Sequence, residues 1–215
     1  MKTIAYIDGG NLYYGLLRGH AAFKWLDLIA LAKKLLDSNH ELIEVKYFTA
    51  RTKTYPYDAA AIERQNIYLQ ALIAYGGVSI IEGYYNKNKV WIPAVSQECR
   101  DCAISTNGYV HAMKMEEKRT DVNIVTELLR DAYNNAADSF MLISGDADFT
   151  APLDLVRKEL GKQVLVFNPH KRATDLRFHS TFCKDIPRRL PLECQLPNEI
   201  PLPNGRVIRR PQAWS

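Results

Sequence analysis

Met141-Leu142-Ile143-Ser144-Gly145-Asp146-Ala147-Asp148-Phe149-Thr150 is the stretch whose reading decides the fold. Met141 to Ile143 is an apolar run of strand length, Ser144-Gly145 permits a tight turn, and a helix start follows. Two carboxylates, Asp146 and Asp148, therefore stand where a strand stops. In an open α/β sheet that place is the ligand crevice beyond the carboxyl ends of the strands. Two aspartates are not both ionised there at low cost without a cation or hydrogen-bond donors to offset them. A local reading stands beside this one, in which Asp148 caps the next helix and Asp146 serves the turn.

Outward from that stretch, apolar and β-branched runs predict strands over 3–7, 43–48, 78–81, 139–144 and 163–167. Helical spacing predicts helices over 25–36, 57–75, 121–137, 153–160 and 174–182, and a further helix starts at Asn11, a candidate N-cap. Strands alternating with helices imply an α/β fold: a mostly parallel five-stranded sheet with helices on both faces. Right-handed crossovers limit the topologies, and the order 3-2-1-4-5 puts the switch point between strands one and four. Asp8 ends the first of these and Asp146 follows the fourth, so the two carboxylates are expected to face each other. Over 86–109 the period is lost, which reads as a loop or hairpin insertion. From 187 to 215 the prolines predict a tail without regular structure over most of its length, with a short arm near 207–210.

The composition suits one soluble domain with decorations: 215 residues, 47% hydrophobic, 24% charged, formal charge +4. A mild positive charge permits nucleic-acid binding without requiring it. The start of the chain has no signal-peptide layout, no run approaches the roughly 18 apolar residues of a membrane span, and four cysteines are too few for a disulfide scaffold. A cytoplasmic protein with no membrane partner is expected.

A third acidic element points to the same edge. Lys118-Arg119-Thr120-Asp121-Val122 opens the helix that feeds strand four, so Asp121 starts that helix at the carboxyl edge, with Glu117 close before it. Helix capping is the local alternative for Asp121. Asp8, Asp121, Asp146 and Asp148 together form an all-oxygen set suited to a hard divalent cation, Mg²⁺ or Mn²⁺. Such an ion keeps waters, takes phosphate oxygens and serves phosphodiester hydrolysis. Asn11 is placed to orient water or phosphate.

Three blocks together resemble a family: Ile7-Asp8-Gly9-Gly10-Asn11, then Glu117-Lys118-x-x-Asp121-Val122, then Leu142-Ile143-Ser144-Gly145-Asp146-Ala147-Asp148-Phe149. They look like the signatures of NYN-domain proteins, a branch of the PIN-like nuclease superfamily. The resemblance covers about residues 1–186, leaving 187–215 as a Pro-rich tail. It implies a Rossmann-like three-layer sandwich and a Mg²⁺- or Mn²⁺-dependent endoribonuclease. By position it assigns Asp8, Asp121, Asp146 and Asp148 to the metal and Asn11 as their polar partner. One departure is Arg119-Thr120, where such proteins often carry a smaller, Gly-containing pair. Alternatives of other classes are a non-catalytic RNA- or protein-binding regulator, and a DNA nuclease or phosphatase on the same carboxylates.

Arg51, Lys53, Lys118 and Arg119 are the candidate RNA-binding cations, with Arg64, Lys171, Arg172 and Arg177 as further basic groups. Tyr13, Tyr14, Tyr55, Tyr84 and Tyr85 are candidates to stack unpaired bases, or else half-buried core. RNA, single-stranded or looped, is the expected partner, and a second copy of the chain is another; Arg206, Arg209 and Arg210 of the tail are candidate contacts for either RNA or a partner subunit. Cys99-x-x-Cys102 is half of a zinc site lacking a clear second half, so free thiols are the default. The five scattered histidines offer no ligand pair, and neither a nucleophile elbow nor a phosphate-binding Gly-rich loop is present.

Overall fold

Alternation along the first strand sets the layering. In β1 (Lys2–Asp8), Ile4 and Tyr6 point to one apolar cluster while Ala5 and Ile7 point to another. Each is almost fully buried, as a strand covered on both faces requires. The computed structural model describes residues 1–52, 60–93, 109–170 and 174–215.

β1 lies at the centre of a seven-stranded sheet. The other strands are β2 (Glu41–Ala50), β3 (Val78–Pro93), β4 (Tyr109–Lys118), β5 (Ser139–Ile143), β6 (Gln163–Asn168) and β7 (Phe182–Asp185). Their order is β4-β3-β2-β1-β5-β6-β7, and only β3–β4 is antiparallel. The expected five-stranded order 3-2-1-4-5 is therefore corrected to seven strands. The reason lies at the two edges. Residues 86–93, read as insertion, continue β3, and Tyr109–Lys118 pairs back against it as β4. At the other edge, the helix expected over 174–182 is only α6 (Leu176–His179), and β7 follows it. Polar alternation in β4 and the brevity of β7 hid both strands.

Helices α1 (Gly9–Leu12), α2 (Leu28–Leu35) and α3 (Ala61–Tyr75) precede α4 (Thr120–Tyr133), α5 (Thr150–Asp154), α6 and α7 (Leu190–Glu193). One core joins Ile7, Leu31, Val45, Leu72 and Ile143, and the opposite core joins Tyr6, Phe48, Leu128, Leu142 and Leu153. The Pro-rich tail departs from the expectation of irregularity. It forms α7 and a hairpin of β8 (Glu199–Pro201) with β9 (Val207–Arg209), and Leu196, Ile200, Ile208 and Trp214 are buried in the first core. Trp25 Nε1 donates to the carbonyl of Pro197 at 2.9 Å, which ties the tail to the segment before α2.

One buried network fixes α4, and with it Asp121, against the sheet. Lys46 of β2 reaches Asp131 at 2.5 Å and Glu127 at 2.9 Å, and Tyr6 donates to Asp131 at 2.5 Å. Burial alone depresses an ammonium, but these carboxylates outweigh it and hold Lys46 protonated.

Candidate active site

Asp8 is the last residue of β1 and the N-cap of α1, and only 5% of it is exposed. Its Oδ1 accepts from the backbone N–H of Asn11 at 2.9 Å, and its Oδ2 accepts from the Ser144 hydroxyl at 2.9 Å. Burial pushes the carboxyl from its ordinary 3.8 to about 6. The two hydrogen bonds act against that rise, while the charges of Asp121 and Glu117 add to it.

The turn after β5 is tied to Asp8 twice over. Ser144 bonds Asp8 directly and also accepts from the N–H of Asp146 at 3.2 Å. Asn11 uses its Oδ1 to accept from the N–H of Gly145 at 2.8 Å, so it braces the turn instead of only facing the crevice. Gly145 has no room for a side chain, because a Cβ there would overlap Asn168 Oδ1. Asp146, half-buried, is the cap of the short turn Ala147–Phe149, and its Oδ1 accepts from the N–H of Asp148 at 3.1 Å. The local capping readings therefore move upstream: Asp8 caps α1, three residues before the expected Asn11, and Asp146 caps the turn, two residues before the expected Asp148.

Asp121 lies in the first turn of α4 and is exposed. Desolvation of its carboxyl, then the charges of Asp146, Glu117 and Asp148, raise its pKa. Arg119, just before the helix, has φ 74°, in the left-handed region. A Gly adopts that conformation without steric cost, so the departure noted at Arg119-Thr120 carries a physical penalty. The Arg119 guanidinium lies 5.1 Å from the Tyr84 ring centroid, which offsets part of it.

A cleft of about 240 Å³ at the carboxyl edge is lined by Asp8, Asn11, Glu117, Thr120, Asp121 and Asp146, with Tyr14 and His170 at its sides. Glu117 is the penultimate residue of β4 and accepts from Thr120 Oγ1 at 2.5 Å and from the Tyr85 hydroxyl at 3.2 Å. Its place in the Glu117-x-x-x-Asp121 spacing was legible, but His170 carried no sequence signal. Asp148 is exposed and outside this cleft.

Other candidates are placed elsewhere. Arg51 is committed to Glu82, with contacts of 2.7–3.1 Å, and to Asn66 at 2.9 Å, and it lines neither this cleft nor the larger one beside it. Lys118 pairs with Glu116 at 3.1 Å. Lys53, Tyr55, Cys99, Cys102, Lys171 and Arg172 lie outside the described residues. Among the described residues no helix is long and apolar enough to cross a membrane.

The larger cleft, about 450 Å³, adjoins the acidic one, and Gly10, Tyr14 and Glu117 line both.

Three comparisons bear on this arrangement. The chain is 31% identical over 238 aligned residues to the 6-hydroxy-3-succinoylpyridine 3-monooxygenase HspA of Pseudomonas putida, across all of this chain and 75% of that protein. In fold it resembles a Vibrio parahaemolyticus protein of unknown function, with a TM-score of 0.51 and 17% identity over 90% of this chain and 96% of the other. The family model described as NYN domain matches residues 2–183, a span that holds every carboxylate of the acidic cleft. The chain belongs to the NYN-domain family.

Proposed function

We propose that the acidic cleft hydrolyses RNA phosphodiester bonds with a bound Mg²⁺ or Mn²⁺. The observation that carries this reading is the convergence of Asp8, Glu117, Asp121 and Asp146, from three separated stretches, around one cleft at the carboxyl edge of an NYN-domain sheet.

The donor set fits a hard cation, since every candidate ligand is a carboxylate or amide oxygen. Among the described residues no three His, Cys, Asp or Glu side chains are arranged to enclose a metal ion. Mg²⁺ is commonly held by one or two carboxylates and completed by waters and substrate phosphate oxygens. Asp8 and Asp146 would hold the ion, with Asp121 at the rim and Asp148 adding negative potential. When bound, the cation would offset charge on the phosphate and acidify a water.

The chain's own residues do the positioning. Ser144 and the Asn11 N–H hold both oxygens of Asp8 in fixed directions. Asn11 fixes the Gly145 backbone and so the direction of Asp146. The raised pKa of Asp8 marks a carboxylate whose charge is not yet compensated, the state that a cation relieves. Lys118 and Arg119 stand beside Asp121 and are proposed to meet RNA phosphates, with single-stranded or looped RNA as substrate.

A panel of labelled RNA, labelled DNA and p-nitrophenyl phosphate, each with Mg²⁺ or Mn²⁺, tests the reaction class. Cleavage of RNA alone supports the proposal. Turnover of DNA or the monoester instead would move it to another phosphoryl-transfer class, and metal-independent RNA binding without turnover would make the chain a regulator.

A second reading is favoured by the likeness to the P. putida protein named as a monooxygenase. On that reading the chain oxidises a small heteroaromatic ring. Oxygen uptake with a reductant and 6-hydroxy-3-succinoylpyridine decides it.

A further inference from the structure

The larger cleft is built differently from the acidic one. Its floor is formed by buried rings: Tyr47, Tyr68 and Trp214 are each less than 10% exposed. Tyr68 and Trp214 meet edge to face with centroids 6.1 Å apart. Its mouth carries exposed rings, Tyr13 at 39% and Tyr14 at 54%, which meet edge to face at 5.3 Å.

Three cations line the cleft, Arg18, Lys24 and Arg64, and two of them stand over the exposed rings. Lys24 Nζ lies 5.6 Å from the Tyr13 ring centroid, and Arg18 Cζ lies 5.4 Å from that of Tyr14. Both line the cleft. Glu117 is the acidic member, at the wall shared with the acidic cleft. Positive charge thus stands at the outer rings and negative charge at the junction, with Arg64 a further cation of the lining.

Part of the floor comes from outside the family match. Trp214 lies beyond residue 183, and the tail that carries it is fixed by Trp25, Leu196 and Arg210. A floor of buried rings suits a planar aromatic ligand, and a volume of about 450 Å³ is of the size that takes one.

We infer that this cleft binds a planar heteroaromatic ring carrying an anionic substituent, with the ring against Tyr68 and Trp214 and the anion toward Lys24 and Arg18. A mononucleotide unit of RNA and a free heteroaromatic carboxylate share that chemistry. The inference goes beyond the reading of the acidic cleft and needs no metal.

The test is calorimetric titration of the full chain, in chelator, with 5′-AMP, adenosine and pyridine-3-carboxylate. The expected result is that 5′-AMP or pyridine-3-carboxylate binds, and that a nucleotide binds roughly fivefold tighter than its nucleoside. Lys24→Gln with Arg18→Gln should remove that preference and leave adenosine binding unchanged. Trp214→Ala should abolish binding while Trp214→Phe retains it, the Phe variant guarding against loss of fold. Binding of 5′-AMP alone assigns a nucleotide ligand, and binding of the pyridine acid alone assigns a free heteroaromatic. No binding of either anionic ring at about 5 mM overturns the inference, as does binding that ignores both the cations and Trp214. Because chelator is present, metal-dependent RNA cleavage with no ring binding would sink this inference alone. Ring binding without any cleavage would sink only the reading of the acidic cleft.

Discussion

The Ser144 hydroxyl donates to Asp8 Oδ2 at 2.9 Å, joining the ends of two adjacent parallel strands at the floor of the acidic cleft. That bond and the Asn11 N–H leave Asp8 held in place but still short of compensation, because burial dominates and lifts its carboxyl to about 6. The neutral acid is therefore favoured by the folded state. A raised acid contributes stability below its unfolded value, near 3.8, and loses it as pH climbs through about 6. In chelator, urea unfolding should show the wild type losing roughly 1–3 kcal/mol between pH 4 and pH 7 from this group. Asp8→Asn should flatten that change and be the more stable form at pH 8, while losing Mn²⁺ affinity. A variant with unaltered pH dependence contradicts the placement of Asp8.

Asn11 and Gly145 form the second brace. Asn11→Ala leaves the Gly145 N–H without its side-chain acceptor and should cost roughly 1–2 kcal/mol in urea unfolding. Gly145→Ala forces Cβ onto Asn168 Oδ1 and should cost more than about 2 kcal/mol. Equal stability of wild type and Gly145→Ala would show that the turn is not as tight as described.

Arg119 provides a comparison within one site. Ala keeps the left-handed backbone and loses the contact with Tyr84, whereas Gly loses the contact and relieves the backbone. Arg119→Gly should therefore be more stable than Arg119→Ala by about 1 kcal/mol in thermal or urea unfolding. The reverse ranking would place the strain elsewhere.

Lys46 anchors the helix that carries Asp121. Removing its ammonium leaves Asp131 buried beside Tyr6, with the more distant Arg130 Nε at 3.8 Å left to balance its charge. Lys46→Ala should cost roughly 3–5 kcal/mol at pH 7. The double variant Lys46→Met with Asp131→Leu should recover most of that, as read by urea midpoints.

The interior of the sheet was legible because its strands are short, apolar and separated by helices of plain periodicity. β1, β5 and β6 are buried on both faces, and burial is what a continuous apolar run reports. β4 was not legible, since His111, Lys114, Glu116 and Lys118 make it look like loop, and its pairing with β3 depends on a partner that lies beyond 94–108 in sequence. The tail misled for a related reason. Its prolines exclude long helices and strands, yet Ile200, Ile208 and Trp214 still find the core from very short elements. Within the site, the carboxylates announced themselves by type and position at strand ends. Roles set by hydrogen-bond direction did not: that Asn11 faces Gly145, and that Asp146 caps while Asp148 stands outside the cleft, depends on turn geometry.

The measurement that bears most directly on the acidic cleft is cleavage of a 5′-labelled single-stranded RNA with Mn²⁺, with and without chelator, by wild type and Asp146→Asn. The account predicts cleavage by the wild type with metal, none in chelator, and a loss of at least about a hundredfold in the variant. Cleavage that survives chelator, or that Asp146→Asn leaves intact, would contradict it.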